Sequence, residues 1–285
     1  MKVGAHVSTS GGLDKAIDRA QEMGAETIQI FASSPRGWAF KPIPPAVASA
    51  FREKAKSTGI SPTFLHGIYL VNLGSPSEEQ LSKSVQTLIN YMRVAEEIGA
   101  VGVIFHAGSH LGAGFSGVFD QAVGALEQVL RASPGAARLI IENSAGMGQH
   151  IGSSFQEIGQ MVKAVSNPQM GVCLDTQHLF AAGFEVTEKA GLERVMEEFD
   201  REVGLSNLVV VHANDSKTPF ASGVDRHENI GQGHMGLEAF RIIMRHPAFM
   251  DVPFLLEVPG EDGKGPDKAN LDVLKGLRAE VGLTA

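Results

Sequence analysis

Short apolar runs alternate with longer amphipathic segments along the whole chain. The runs are continuous rather than alternating, as expected for strands with both faces buried. They predict strands near residues 2–8, 27–32, 62–67, 102–106, 138–143, 170–176, 208–213 and 253–258. The intervening segments predict helices near 12–24, 44–58, 77–98, 117–132, 154–165, 187–203, 236–245 and 267–281. Ser77 with Glu78 and Glu79 opens the third helix, and Gly99 closes it. Thr187 with Glu188 opens the sixth, and Gly204 closes it. Eight such units in 285 residues favour one domain spanning 1–285, an α/β fold of the closed (β/α)8 TIM-barrel type, over an open sheet. Two connections, Ala32 to Ile43 and Asn214 to Met235, are too long for simple turns. Long loops at the C-terminal face of such a barrel belong to the site.

The apolar runs end in a repeated way. PTFLHG ends in His66, GVIFHAG in His106, RLIIENS in Glu142, LVVVHAND in His212 and PFLLEV in Glu257, while GVCLDTQH carries Asp175 and His178. The loop run GVDRHE adds Asp225 and His227. A lone histidine at a strand end is usually a satisfied core residue, and a lone buried glutamate is costly unless paired or metal-bound. Five histidines and four carboxylates on one barrel face instead point to metal. Imidazole with carboxylate favours zinc, with manganese or iron as the other candidates. Nine ligands exceed one tetrahedral ion, so two or three ions are implied. Such ions lower the pKa of bound water and clamp attacking and leaving oxygens.

Composition narrows the class further. A hydrophobic fraction of 43% with 20% charged residues suits one large globular core. There is neither a signal-like segment nor an apolar run of membrane length, so a soluble cytoplasmic protein with no membrane association is expected. The single cysteine, Cys173, rules out an internal disulfide and reads as a core thiol. A net charge of −8 argues against nonspecific polyanion binding. Three divalent cations would add six positive charges at the binding mouth, so the acidic total does not exclude nucleic acid.

At this point the chain resembles endonuclease IV, the zinc-dependent AP endonuclease family of base excision repair. The resemblance runs end to end through GAHVS, HGIYLVNLG, FHAGSH, IENSAG, CLDTQHLFAAG, VHANDSK, VDRHENIGQG and LLEV. It implies three zinc ions, with manganese the alternative at one site. His66, His106 and Glu142 would hold the first. Glu142 would be shared with the second, held also by Asp175, His212 and Glu257. His178, Asp225 and His227 would hold the third. The family cleaves the phosphodiester 5′ to an abasic site in duplex DNA, leaving a 3′-hydroxyl and a 5′-deoxyribose phosphate, and removes blocked 3′ ends. Glu142 and Glu257 are the implied catalytic carboxylates, with Glu257 orienting the nucleophile. Metals replace the general acid, so no catalytic Cys, Ser or Lys is required. The resemblance also suggests a monomer.

It implies that Arg36, Tyr69 and Leu70 contact the DNA gap left by the flipped-out sugar. The bland alternative is that Tyr69 and Leu70 only cover the rim. Trp38 would stack on bases or cap the barrel. Lys217, Arg226 and the backbone amides of GQGHMG are candidate phosphate contacts. His6, His110 and His234 lie near the same face, while His150 and His246 read as surface residues. The chain departs from the family at Gly67, Ile68, Gln177, the Ser33–Gly37 loop and the tail after Glu257. These departures bear on gap geometry and lesion preference rather than on metal chemistry. A sugar isomerase or epimerase on the same barrel is the nearest competing reading, and fold alone does not decide between them. The Asp225 and His227 pair argues for the nuclease. A damage-binding or metal-storage protein is the third reading, and it would bind abasic DNA without nicking it.

Overall fold

The structure, a computed structural model, describes residues 1–285. In chain order its elements are β1 (Val3–His6), α1 (Leu13–Met23), β2 (Ile28–Ile30), α2 (Pro45–Thr58), β3 (Thr63–His66), α3 (Glu78–Ile98), β4 (Gly102–Phe105), α4 (Phe115–Ala132), β5 (Arg138–Glu142), α5 (Phe155–Val165) and β6 (Met170–Asp175). There follow α6 (Thr176–Ala182), α7 (Lys189–Glu202), β7 (Leu208–His212), β8 (Asp215–Ser216), β9 (His227–Glu228), α8 (Gly236–Arg245), β10 (Phe254–Leu256) and α9 (Lys268–Glu280). Strands β1 to β7 and β10 are joined by parallel pairing into a closed barrel. Pairing of Val3 with Phe254 closes it. The (β/α)8 expectation therefore holds. No helix is long and apolar enough to cross a membrane.

The helix termini follow local chemistry. The Ser77 hydroxyl accepts from the Gln80 amide, and Gly99 ends α3 at φ 70°, where a side chain would be strained. The start of α7 falls later than the sequence suggests. Thr187 gives both its amide and its hydroxyl to the Glu185 carboxylate, so Glu188 stands at the N-cap instead. The short helix α6 is absent from the sequence-based expectation. It begins directly at the end of β6, where the Asp175 carboxylate accepts from the His178 amide at 2.9 Å. The long 214–235 connection is likewise not structureless: β8 and β9 pair as a small antiparallel ribbon within it.

Strand alternation explains the site. Phe64, Ile104, Ile140, Cys173, Val210 and Leu255 form a fully buried cluster inside the barrel, separate from the larger core between strands and helices. Each stands two residues before a candidate ligand: His66, His106, Glu142, Asp175, His212 or Glu257. Side chains two apart share a face, so the ligands form the next inward layer, at the C-terminal mouth. Cys173 belongs to the lower layer, and burial pushes its thiol up to about 12. On β1 the inner position is Gly4, where a Cβ would lie 1.7 Å from the Thr27 carbonyl oxygen. Only glycine lets these two strands approach so closely at that height.

Candidate metal centre

Every barrel strand contributes one polar side chain to the inner ring at the mouth. His6 and Gln29 join the six candidate ligands. Glu142 lies at the centre of the ring and is buried. Its Oε2 is 3.1 Å from His66 Nε2 and 3.4 Å from His106 Nε2. Its Oε1 is 3.0 Å from His212 Nδ1 and 3.3 Å from His178 Nδ1. Glu257 Oε2 stands 3.4 Å from the same His212 nitrogen. Three groups of donor atoms are close enough to hold a cation each: His66, His106 and Glu142; Glu142, Asp175, His212 and Glu257; and Asp175, His178 and His227.

The third group is completed from outside the barrel. Helix α6 supplies His178 and strand β9 supplies His227. Asp225 Oδ1 lies 3.3 Å from His178 Nε2 and 3.4 Å from His227 Nε2, on the solvent side. Asp175 Oδ2 reaches His227 Nε2 at 3.6 Å from below, so the second and third groups share Asp175. All nine sequence-predicted ligand residues are thus brought together.

The donor set fits cations. The Nε2 atoms of His178 and His227 are buried with no hydrogen-bond partner. Such orphaned nitrogens are costly in a protein interior unless something ligates them. Their other ring nitrogens are engaged: His178 Nδ1 is 2.9 Å from the Asn143 carbonyl and His227 Nδ1 is 3.2 Å from the Glu257 carbonyl. His66 Nδ1 meets the Gly67 carbonyl at 2.7 Å. A carbonyl only accepts, so each Nδ1 carries the proton and each Nε2 turns a lone pair to the site, the usual arrangement of metal-binding histidine.

The electrostatics agree. Burial pushes the Glu142 carboxyl up, but His106, His212 and His178 outweigh it and hold the group well below the usual carboxylate range. Burial pushes the His178 imidazole down, yet Asp175, Asp225 and Glu142 raise it well above its ordinary value. His66 is raised as well, its burial outweighed by Glu142 and Glu257. By contrast, burial lowers His106. Four carboxylates packed together require compensating positive charge, which divalent cations would supply.

A cleft of about 810 Å³ opens over the ring, lined at its rim by Tyr69, Arg19, Arg226 and Lys264. Tyr69 is 62% exposed at the mouth, which suits contact with a large partner better than core packing. Arg36 is also exposed, and its loop is tied to Tyr69, whose amide donates to the Pro35 carbonyl. Leu70 and Trp38 are half-buried and pack on the core, so Trp38 caps the barrel flank. The amides of GQGHMG are not free for phosphate: those of Gly231, Gly233, Met235 and Gly236 all donate to the buried Asp215 carboxylate. Lys217 is exposed, and the Arg226 guanidinium bonds the Asp225 carbonyl. Buried Gln177 donates to the Val224 carbonyl, beside Asp225. His6 reaches Glu257 Oε1 at 3.0 Å, whereas His110 accepts from Gly112 and Gly114 and serves its own loop. His234 and His150 are exposed, and His246 caps a short turn by accepting from the Ala248 amide.

Comparison with known proteins fits this geometry. Residues 17–279 match the family described as a xylose isomerase-like TIM barrel. A probable endonuclease 4 of Halothermothrix orenii is 37% identical over 276 residues, which cover 96% of this chain and 99% of that one. The crystal structure of endonuclease IV from Thermus thermophilus superposes with a TM-score of 0.87 at 34% identity, covering 98% of this chain and all of that one. A D-tagatose 3-epimerase-like protein shares the barrel at a TM-score of 0.74 but only 18% identity, covering 99% of this chain and 97% of that one, a likeness of fold alone. The chain belongs to the endonuclease IV family and is a hydrolase of the nuclease class.

Proposed function

We propose that this protein is an AP endonuclease of base excision repair. In this reading it hydrolyses the phosphodiester 5′ to an abasic site in duplex DNA, leaving a 3′-hydroxyl and a 5′-deoxyribose phosphate, and clears blocked 3′ ends. The observation that carries the reading is the convergence of three adjoining donor groups, the first two sharing Glu142 and the third flanked by Asp175 on the barrel side and Asp225 on the solvent side. In this proposal His66, His106 and Glu142 hold one zinc ion; Glu142, Asp175, His212 and Glu257 a second; and His178, Asp225 and His227 a third. When bound, the ions supply an activated water and positive charge on the phosphate oxygens. Glu257, fixed by His6 on one oxygen, would turn the other toward the second ion and the attacking water beside it. Tyr69, Arg36 and Leu70 occupy the space vacated by the abasic nucleotide. The sharing of ligands supports a substrate whose oxygens must be neutralised at several points at once, as in phosphodiester cleavage.

The test uses a duplex oligonucleotide with one abasic analogue and no added magnesium. A single nick 5′ to the lesion with a 3′-hydroxyl is expected, lost after prolonged chelation and restored by zinc. No nick from fully metal-loaded protein would overturn the assignment. A second expectation concerns the rim. Tyr69→Ala removes one exposed aromatic contact, so affinity for the abasic duplex should drop about ten-fold or more, in line with ~1–3 kcal/mol per stacked base. Zinc content should stay at the wild-type level. Unchanged affinity in a gel-shift titration would leave Tyr69 a rim cover only.

A further inference from the structure

Gln29 completes the inner ring without belonging to any donor group. It is fully buried between Ile28 and Ile30 and faces the barrel interior. Barrel register sets its place: Gln29 pairs beside His6, and the next residue beyond the Ala5–Leu256 pair is Glu257. A buried amide without partners is costly, so its contacts show what holds it there. This amide has two partners, both in the centre. Its Nε2 is 2.5 Å from Glu257 Oε1, the oxygen that His6 Nδ1 also meets at 3.0 Å, and its Oε1 is 2.7 Å from His212 Nε2.

These contacts fix two things. A carboxylate only accepts, so the amide nitrogen must face Glu257 and the amide oxygen must face His212. His212 Nε2 then carries the proton, and its Nδ1 lone pair turns toward Glu142 and Glu257. His66, His178 and His227 have their proton positions set by backbone carbonyls, which no substitution removes. His212 alone of these four depends on a replaceable side chain.

We propose that Gln29 is a positioning residue: it selects the His212 tautomer that binds metal through Nδ1 and anchors one oxygen of Glu257 so that the other faces the same ion. This rests on the metal reading above. The competing view is that Gln29 only fills space and satisfies a buried imidazole.

The experiment compares wild type with Gln29→Met and Gln29→Glu as full-length, zinc-loaded proteins. Zinc affinities are read by competition with a chelator, and histidine tautomers by ¹H–¹⁵N spectra of labelled imidazoles. In Gln29→Met one of three zinc equivalents should weaken about 10–100-fold, the usual effect of losing a partner behind a ligand. The other two should be unchanged, and His212 should lose its protonated-Nε2 signature. Gln29→Glu keeps an oxygen toward His212 but no donor toward Glu257, so it should retain that signature and still lose zinc affinity. If Gln29→Met fails to fold, Gln29→Glu carries the test alone. Unchanged affinities, equal weakening of all three equivalents, or loss of the His212 signature in Gln29→Glu would overturn the proposal. Wild type that binds no zinc would instead overturn the metal reading itself.

Discussion

Glu142→Gln is expected to reduce strand incision at an abasic site by about three orders of magnitude or more, with little change in the fold. The size follows from how much converges on one carboxylate. Glu142 Oε2 faces His66 and His106 while Oε1 faces His212 and His178, and the residue belongs to two of the three donor groups. Glutamine keeps the volume but replaces a charged oxygen by an N–H₂ that cannot ligate. Two adjacent positions should therefore lose affinity together. Metal-derived charge stabilisation is worth several kcal/mol at the transition state, and each 1.36 kcal/mol is a factor of ten in rate. The side chain stands above the inner apolar layer, so packing below it is untouched. Elemental analysis of the purified variant alongside the incision assay checks this. Near-wild-type turnover with a full metal complement would show that Glu142 is not shared.

The same layer shows why much of the site could be read from the chain. A ligand at the mouth must sit an even number of residues beyond an inward apolar one, so LIIE and VVVH carry their geometry in their spacing. The eight barrel strands and their helices are legible for the same reason, because burial on both faces leaves an unbroken apolar run. What the pattern does not show acts through contacts between distant segments. Gln29 lies inside the run IQI, and only its polar side chain in a strand otherwise buried on both faces hints at a role. Its partners, Glu257 and His212, are more than 180 residues away. Helix α6 is hidden because CLDTQHLFAA reads as the end of a strand, whereas Asp175 serves both as candidate ligand and as helix cap. Strands β8 and β9 are two residues each, too short for any periodicity.

Asp215 is the clearest such case and carries the largest expected effect on stability. Its carboxylate is fully buried and accepts from five backbone amides. Oδ1 takes Ser216 at 2.7 Å and Met235 at 3.0 Å, and Oδ2 takes Gly231 at 2.9 Å, Gly233 at 3.1 Å and Gly236 at 3.3 Å. The glycines are there because the backbone wraps closely around those oxygens. A Cβ on Gly233 would lie 2.4 Å from Asp215 Oδ1. The wrapped segment closes the 214–235 loop, which carries Asp225 and His227 to His178. Just before it, the Asn214 side chain holds Asp175 Oδ2 at 2.6 Å, so the loop is keyed to the barrel ligands on one side and to the third donor group on the other. Asp215→Ala leaves five amides without an acceptor, those of Ser216 and Met235 buried and those of Gly231, Gly233 and Gly236 partly so. The expected cost is on the order of 3–5 kcal/mol, from ~1–3 kcal/mol for each buried donor left unsatisfied and less for those that water can reach. At ~2–4 °C per kcal/mol for a chain approaching this size, the melting temperature should fall by about 10 °C. Asp215→Asn should recover little, since its N–H₂ would face amides that also donate. The third donor group should be lost first, so one zinc equivalent should leave the variant at temperatures where the barrel remains folded. Calorimetry with parallel zinc release reads both effects. An Asp215→Asn protein that melts within about 2 °C of wild type and keeps its full zinc complement would show that the loop is held by its ribbon pairing and not by this carboxylate.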